Sequence, residues 1–182
     1  MRILLACLAL VVVAIAAVFV IAARKPNVLR VQRSITIAAP PAVVFSFLSD
    51  FHHWPAWAPQ DREDATMRRS YAGPQSGAGA ASEWTSSGSA GAGRMSVTEA
   101  VEPSRIVVTT DFARPFVAHN VNVFELVTRG SSTDVTWTMT GTNPFVAKLI
   151  SVFVNMDTMM GQHFEHGLGN LKGAAEAARD KS

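Results

Sequence analysis

The sequence contains a single cysteine, Cys7, and that residue lies inside an apolar run. No disulfide can form within the chain, so a disulfide-stapled secreted domain is excluded. The same scarcity excludes a multi-thiolate zinc or iron–sulfur site. Charged residues are also sparse, at 16%, and the formal net charge is only +2. That balance is too mild for a nucleic-acid partner, whose phosphates demand a concentrated basic surface. Yet hydrophobic residues make up 48% of the 182, which excludes a disordered chain and leaves room for one ordinary domain.

Much of that apolar content is concentrated at the start. Residues 3–23 hold no charged side chain, and such a helix is about 31 Å long, the thickness of a bilayer's hydrocarbon core. A cleavable signal has a shorter apolar region with a small-x-small word after it. Ala14-Ile15-Ala16 fits that word but sits mid-run. Residues 1–25 are therefore read as an uncleaved transmembrane anchor, with a signal peptide as the alternative. Arg24, Lys25, Arg30 and Arg33 follow the run, and no acidic residue precedes Asp50. By the positive-inside rule, the domain is expected on the cytoplasmic side of a bacterial inner membrane, held there by a single pass.

Beyond the anchor, residues 28–37 alternate apolar and polar, with Val31, Ile35 and Ile37 on one face, and read as a strand. Pro40-Pro41 opens a short helix with Val43, Val44, Phe45, Phe47 and Leu48 as its apolar side. The proline-broken segment 50–59 is expected to be a turn or a single helical turn. From 65 to 141 the pattern is β, with strands expected at 67–72, 80–86, 94–101, 106–112, 117–128 and 134–141. Short separators rich in Gly, Pro and Ser join them, which implies an antiparallel meander. After Asn143-Pro144 the period becomes 3.6, and one amphipathic helix of roughly 30 residues is expected. Its glycines mark a bend near Gly161 or a close approach of backbone. The resulting α+β architecture is a seven-stranded curved antiparallel sheet around a long C-terminal helix, preceded by one transmembrane helix.

That order, with particular words, resembles the START-like (helix-grip, SRPBCC) superfamily and its polyketide cyclase/dehydrase-type branch. The words are Ser34-Ile35-Thr36-Ile37 running into Pro40-Pro41-Ala42-Val43-Val44-Phe45, and Phe51-His52-His53-Trp54-Pro55-Ala56-Trp57. Further along stand Gly77-Ala78-Gly79 before Glu83-Trp84, Gly91-Ala92-Gly93-Arg94-Met95, and Val135-Thr136-Trp137-Thr138-Met139-Thr140-Gly141. The resemblance covers residues 28–178, taken as one domain. It implies a deep cavity between sheet and helix for lipids, sterols, polyketides or similar molecules. Superfamily members range from cyclases and hydrolases to carriers and chaperone co-factors, so fold does not fix chemistry.

Alternation assigns the inward faces of the strands. Trp84, Met95, Val97, Val108, Phe112, Asn122, Phe124, Trp137 and Met139 are expected to point inward. The helix adds Phe153, Met156, Met160 and Phe164. A lining rich in Met and Trp suits variable apolar ligands; the same residues would also pack a dry core, and both readings stand at this point.

Catalytic constellations are weak by comparison. His163 and His166, at i,i+3 with Glu165 between them, have a spacing that binds divalent ions, but no further ligands recur, so they read as a solvated helix flank. His52 and His53 read as cap or surface residues, and His119 as outward on its strand. Asp61, Glu63 and Asp64 read as solvent-exposed acids of a polar loop. Glu99 shares a predicted face with Met95 and Val97 and is the one acid worth testing as a general base. No nucleophile motif occurs. The expectation is a membrane-tethered domain that binds a small hydrophobic molecule with no catalytic residue, cofactor, metal or nucleic acid. A cyclase/aromatase-like enzyme and an interaction module with a filled core are the alternatives.

Overall fold

The computed structural model describes residues 2–180. Helix α1 (Arg2–Arg24) carries the apolar run, and only Lys25, Pro26 and Asn27 separate it from the first strand. Strand β1 (Val28–Ile37) is followed by α2 (Pro41–Ser49), a 3-10 turn (Phe51–Ala56) and α3 (Pro59–Glu63). Six strands follow: β2 (Arg68–Ala72), β3 (Ala81–Thr85), β4 (Ala92–Val101), β5 (Arg105–Arg114), β6 (Ala118–Arg129) and β7 (Ser132–Thr142). The chain closes with α4 (Phe145–Phe153) and α5 (Met156–Arg179).

The sheet has the order β1-β7-β6-β5-β4-β3-β2, antiparallel throughout. Each of β2 to β7 pairs with its sequence neighbour, as short turns require, while β1 returns to the far edge beside β7. The α2–α3 segment bridges those two edges, and α2 touches β5, β6, β7 and α5. The core lies between the sheet's inner face and α5, with Val31, Ile37, Val108, Phe124, Val135, Leu168 and Leu171 fully or almost fully buried. Burial along β7 alternates strictly from Thr133 to Met139, the period-2 signature read from the sequence.

Two expectations are corrected. The single long helix is two: Val154 is extended, and the Asn155 side chain caps α5 by accepting from the Thr158 N–H at 3.1 Å. An Asn cap satisfies an orphan donor of the first turn, so the break falls there and not at Gly161. Gly161 serves close approach instead, since a Cβ there would lie 1.8 Å from the Arg33 guanidinium. That guanidinium bonds Glu165 at 2.8 Å and Asp157 at 3.0 Å, fastening α5 to β1.

The second correction concerns Glu99. The β4–β5 register slips between Val97 and Glu99, a bulge that inserts one residue and reverses the face of all that follow. Glu99 is consequently outward, 49% exposed in its side chain, and bonds Arg105 at 2.9 Å; Ala100 takes the inner face. Glu99 is not a general base at the cavity.

Candidate functional site

A cavity of about 440 Å³ lies between the inner face of the sheet and the first half of α5. A well-packed core leaves no space of this size, whereas small-molecule sites occupy about 300–1,000 Å³. Of the residues expected to line it, Trp84, Met95, Phe112, Asn122, Trp137 and Met139 do so from the strands, and Met160 and Phe164 from α5. Val97, Val108 and Phe124 are buried in the core behind that wall. Phe153 and Met156 are elsewhere: they line a separate recess beside Lys25 and Leu29. The break at Asn155 removes both from the face that α5 turns to the sheet, and Phe153 is 77% exposed.

Sequence reasoning missed Trp54 and Trp57, which close the cavity from the 3-10 turn side. The signal was present: two indoles within four residues of a proline-broken segment need burial, whatever the backbone does. Trp57 meets Trp137 edge-on at 6.0 Å, and Trp137 lies flat on Phe164 at 3.9 Å. Each indole N–H of the chain is satisfied. Trp54 donates to the Leu48 carbonyl, Trp57 to that of Phe47, Trp84 to that of Ala90, and Trp137 to Asn122 Oδ1.

Asn122 is the polar centre of the wall. Its Oδ1 accepts from Trp137 Nε1 at 3.0 Å, and its Nδ2 donates to Thr110 Oγ1 at 3.1 Å. Buried polar groups tied to one another in this way have little demand left for a ligand. Most of the remaining lining is aromatic rings and methionines, with Gln60, Ser89, Asn120 and His163 as further polar side chains. Arg69 also reaches the wall, but its guanidinium holds Asp61 through two bonds of 2.5 and 2.6 Å and Ser82 Oγ at 3.0 Å. The charge is thus neutralised by a carboxylate that is itself almost fully buried.

Asp61 and Asp64 correct the expectation of a solvated acidic loop. Asp64 is buried and accepts four hydrogen bonds: from Thr66 N–H and Oγ1 on Oδ1, and from Ser86 Oγ and Ala90 N–H on Oδ2. The hydroxyls of Ser86 and Thr66, with the Ala90 and Thr66 amides, hold its pKa down at about 2 against desolvation. Its task is structural: it pins the β3–β4 turn, whose Ser89 and Ala90 form part of the cavity rim.

The histidines divide. His52 is at the surface, its Nδ1 2.7 Å from the Asp50 carboxylate and its ring stacked on Tyr71. His119 is outward, 2.6 Å from Asp111. His163 departs from the solvated reading, because α5 turns it to the cavity wall, while Glu165 faces away to Arg33. Among the described residues no cluster of three or more His, Cys, Asp or Glu side chains has a metal-binding arrangement.

A curved antiparallel sheet gripping a long helix over an apolar cavity defines the START-like class. Residues 28–176 match the family described as polyketide cyclase / dehydrase and lipid transport, and the chain belongs to that family. No curated protein matches by sequence. Among solved structures, protein CV1439 from Chromobacterium violaceum is 17% identical, with a TM-score of 0.58 over 84% of this chain and 99% of that one. Ara h 8.0201 is 13% identical, with a TM-score of 0.57 over 82% and 99%. The hypothetical protein jhp0584 from Helicobacter pylori reaches a TM-score of 0.61 at 10% identity, over 81% and 88%. At such identities the likeness establishes the fold alone.

Proposed function

We infer that the chain binds a small hydrophobic ligand (a lipid, isoprenoid or polyketide-like molecule) in the cavity between sheet and α5, without chemistry of its own. The observation that carries this reading is the cavity of about 440 Å³, lined mainly by aromatic rings and methionines, with Asn122, Thr110 and Trp137 in its wall bonded to one another. A ligand entering it gains chiefly the burial of apolar surface. Residues 28–178 form the binding domain and residues 1–25 its tether; among the described residues one apolar helix is long enough to cross a membrane. The excess of Arg24, Lys25, Arg30 and Arg33 supports a single pass through a bacterial inner membrane with the domain on the cytoplasmic side. Native mass spectrometry of the full chain, released from membranes in mild detergent, is expected to show a co-purifying hydrophobic adduct that a Trp137→Ala variant loses. Apo mass alone, with no displacement of a hydrophobic dye by extracted lipid, overturns the reading.

A cyclase-type enzyme is the second reading. It is favoured by His163, an imidazole on the cavity wall and the side chain most often used for general acid–base catalysis. It requires that a His163→Gln variant retain ligand binding while losing turnover of a bound polyketide chain.

A further inference from the structure

Helix α4 is inside out for a helix in water. Its one buried residue is Lys148, only 6% exposed, whereas Phe145, Val146, Ile150 and Phe153 stand in the open. Lys148 Nζ turns inward to Asn27 Oδ1, and Lys25 Nζ reaches the Ser151 carbonyl. These contacts lock α4 to the segment that leaves α1. A cluster of exposed aromatic and branched side chains on one element marks an interaction surface.

The neighbourhood identifies what covers it. The Phe145 ring packs on Phe19 of α1, centroids 5.8 Å apart. Phe19 lies six residues before Lys25, about 9 Å along the helix axis at 1.5 Å per residue. With α1 in a bilayer, the start of α4 is therefore held at the depth of the span's last turns, which is where interfacial amphipathic helices lie. The register places more apolar surface at the same end of the sheet. Val28 opposes Thr142, Asn120 opposes Gly141 and Ala92 opposes Arg114, so the β5–β6 tip lies at the end where α1 joins. That tip carries Phe116 and Val117, 80% and 89% exposed. Arg24, Lys25, Arg30 and Arg114 also lie at that end, as a surface facing anionic headgroups requires.

Four exposed residues mark the cavity's opening: Gln60, Ser89, Pro115 and Met159. Ser89 is in the β3–β4 turn, Pro115 in the β5–β6 tip and Met159 in the first turn of α5, all at the anchor end. We propose that α4 and the β5–β6 tip form a bilayer-docking surface that seats the mouth of the cavity against the headgroup–acyl boundary. The ligand then enters from lipid without crossing water. This inference rests on the tethered, ligand-binding reading above, and its test separates the two.

The test uses the full chain in vesicles of dibrominated phosphatidylcholine with phosphatidylglycerol, and a fluorophore quenched by bromine on contact. Native Cys7 reports α1. In a Cys7→Ser background, Val117→Cys, Ile150→Cys, Phe153→Cys and Met159→Cys report the surface, and Val127→Cys, at the opposite end of β6, is the reference. Probes at 117, 150, 153 and 159 are expected to lose most of their emission relative to unbrominated vesicles, and the probe at 127 none. Quenching at Cys7 without quenching at the surface positions overturns the docking surface and leaves the tether standing. Quenching at the surface without Cys7 supports docking and removes the tether. Surface probes that bromine does not quench but acrylamide cannot reach indicate a second protein on α4, which also overturns the proposal.

Discussion

The indole of Trp137 lies on the ring of Phe164 with centroids 3.9 Å apart and planes 4° from parallel. This stack joins the last strand to α5, and its underside is wall of the cavity. Trp137→Ala is expected to cost about 3 kcal/mol, the low end for truncating a buried aromatic, because the void it leaves merges with one already open. Affinity for a hydrophobic dye should fall several-fold in the same protein. Trp137→Phe keeps a ring on Phe164 but strands Asn122 Oδ1, for about 1–2 kcal/mol. Urea melts with dye titration read both quantities. If neither changes in the alanine variant, the ring stands in solvent and the strand register is wrong.

Glu99→Gln tests the bulge. Its ion pair with Arg105 is exposed on both sides, and such pairs contribute about 0–1 kcal/mol. Stability within about 0.5 kcal/mol of wild type and unchanged dye binding are expected. A marked loss of binding would place the carboxylate back at the cavity.

Glycines on α5 give a graded series. A Cβ at Gly169 or Gly173 meets nothing within 4 Å, so alanine there should raise stability by about 0.5–1 kcal/mol each through helix propensity. At Gly161 the same gain is offset, because the methyl group displaces the Arg33 guanidinium from Asp157 and Glu165. Thermal melts of the three variants should rank Gly161→Ala below the other two; equal gains would mean that Arg33 does not fasten the helix.

Asp64 supplies a pH signature. Its carboxyl titrates at about 2 when folded, against 3.8 ordinarily. The depressed value means that its contribution is complete above about pH 4 and is lost as pH falls toward 2. Asp50, Asp134 and Glu176 are also held below their ordinary values, so the informative quantity is a difference. Asp64→Asn should show a shallower fall in melting temperature than wild type between pH 4 and pH 2. Parallel curves would remove Asp64 as the pin of the β3–β4 turn.

Strands and their faces were legible because alternation is a local property: Val135, Trp137 and Met139 declare their side without reference to the rest of the chain. The bulge before Glu99 was not, since one extra residue in an alternating segment looks like continued alternation. The fates of Asp61 and Asp64 depend on partners 8 and 22 residues away, Arg69 and Ser86, which no local pattern announces. Phe153 was misplaced because the 3.6-residue period runs on through Asn155. Only reading that Asn as a cap would have ended one helix and begun the next.

Lys25, Pro26 and Asn27 are the whole connection between α1 and β1. Three residues span at most about 10 Å. Were α1 the membrane tether proposed above, a domain on so short a leash could not ferry cargo between compartments or sample distant membranes. With α1 embedded, it patrols one disc of lipid, turning with its own anchor in the plane. On that reading, a ligand taken up from the bilayer would have to be surrendered within arm's reach: to a neighbour embedded in the same leaflet, or to a soluble acceptor that comes to it.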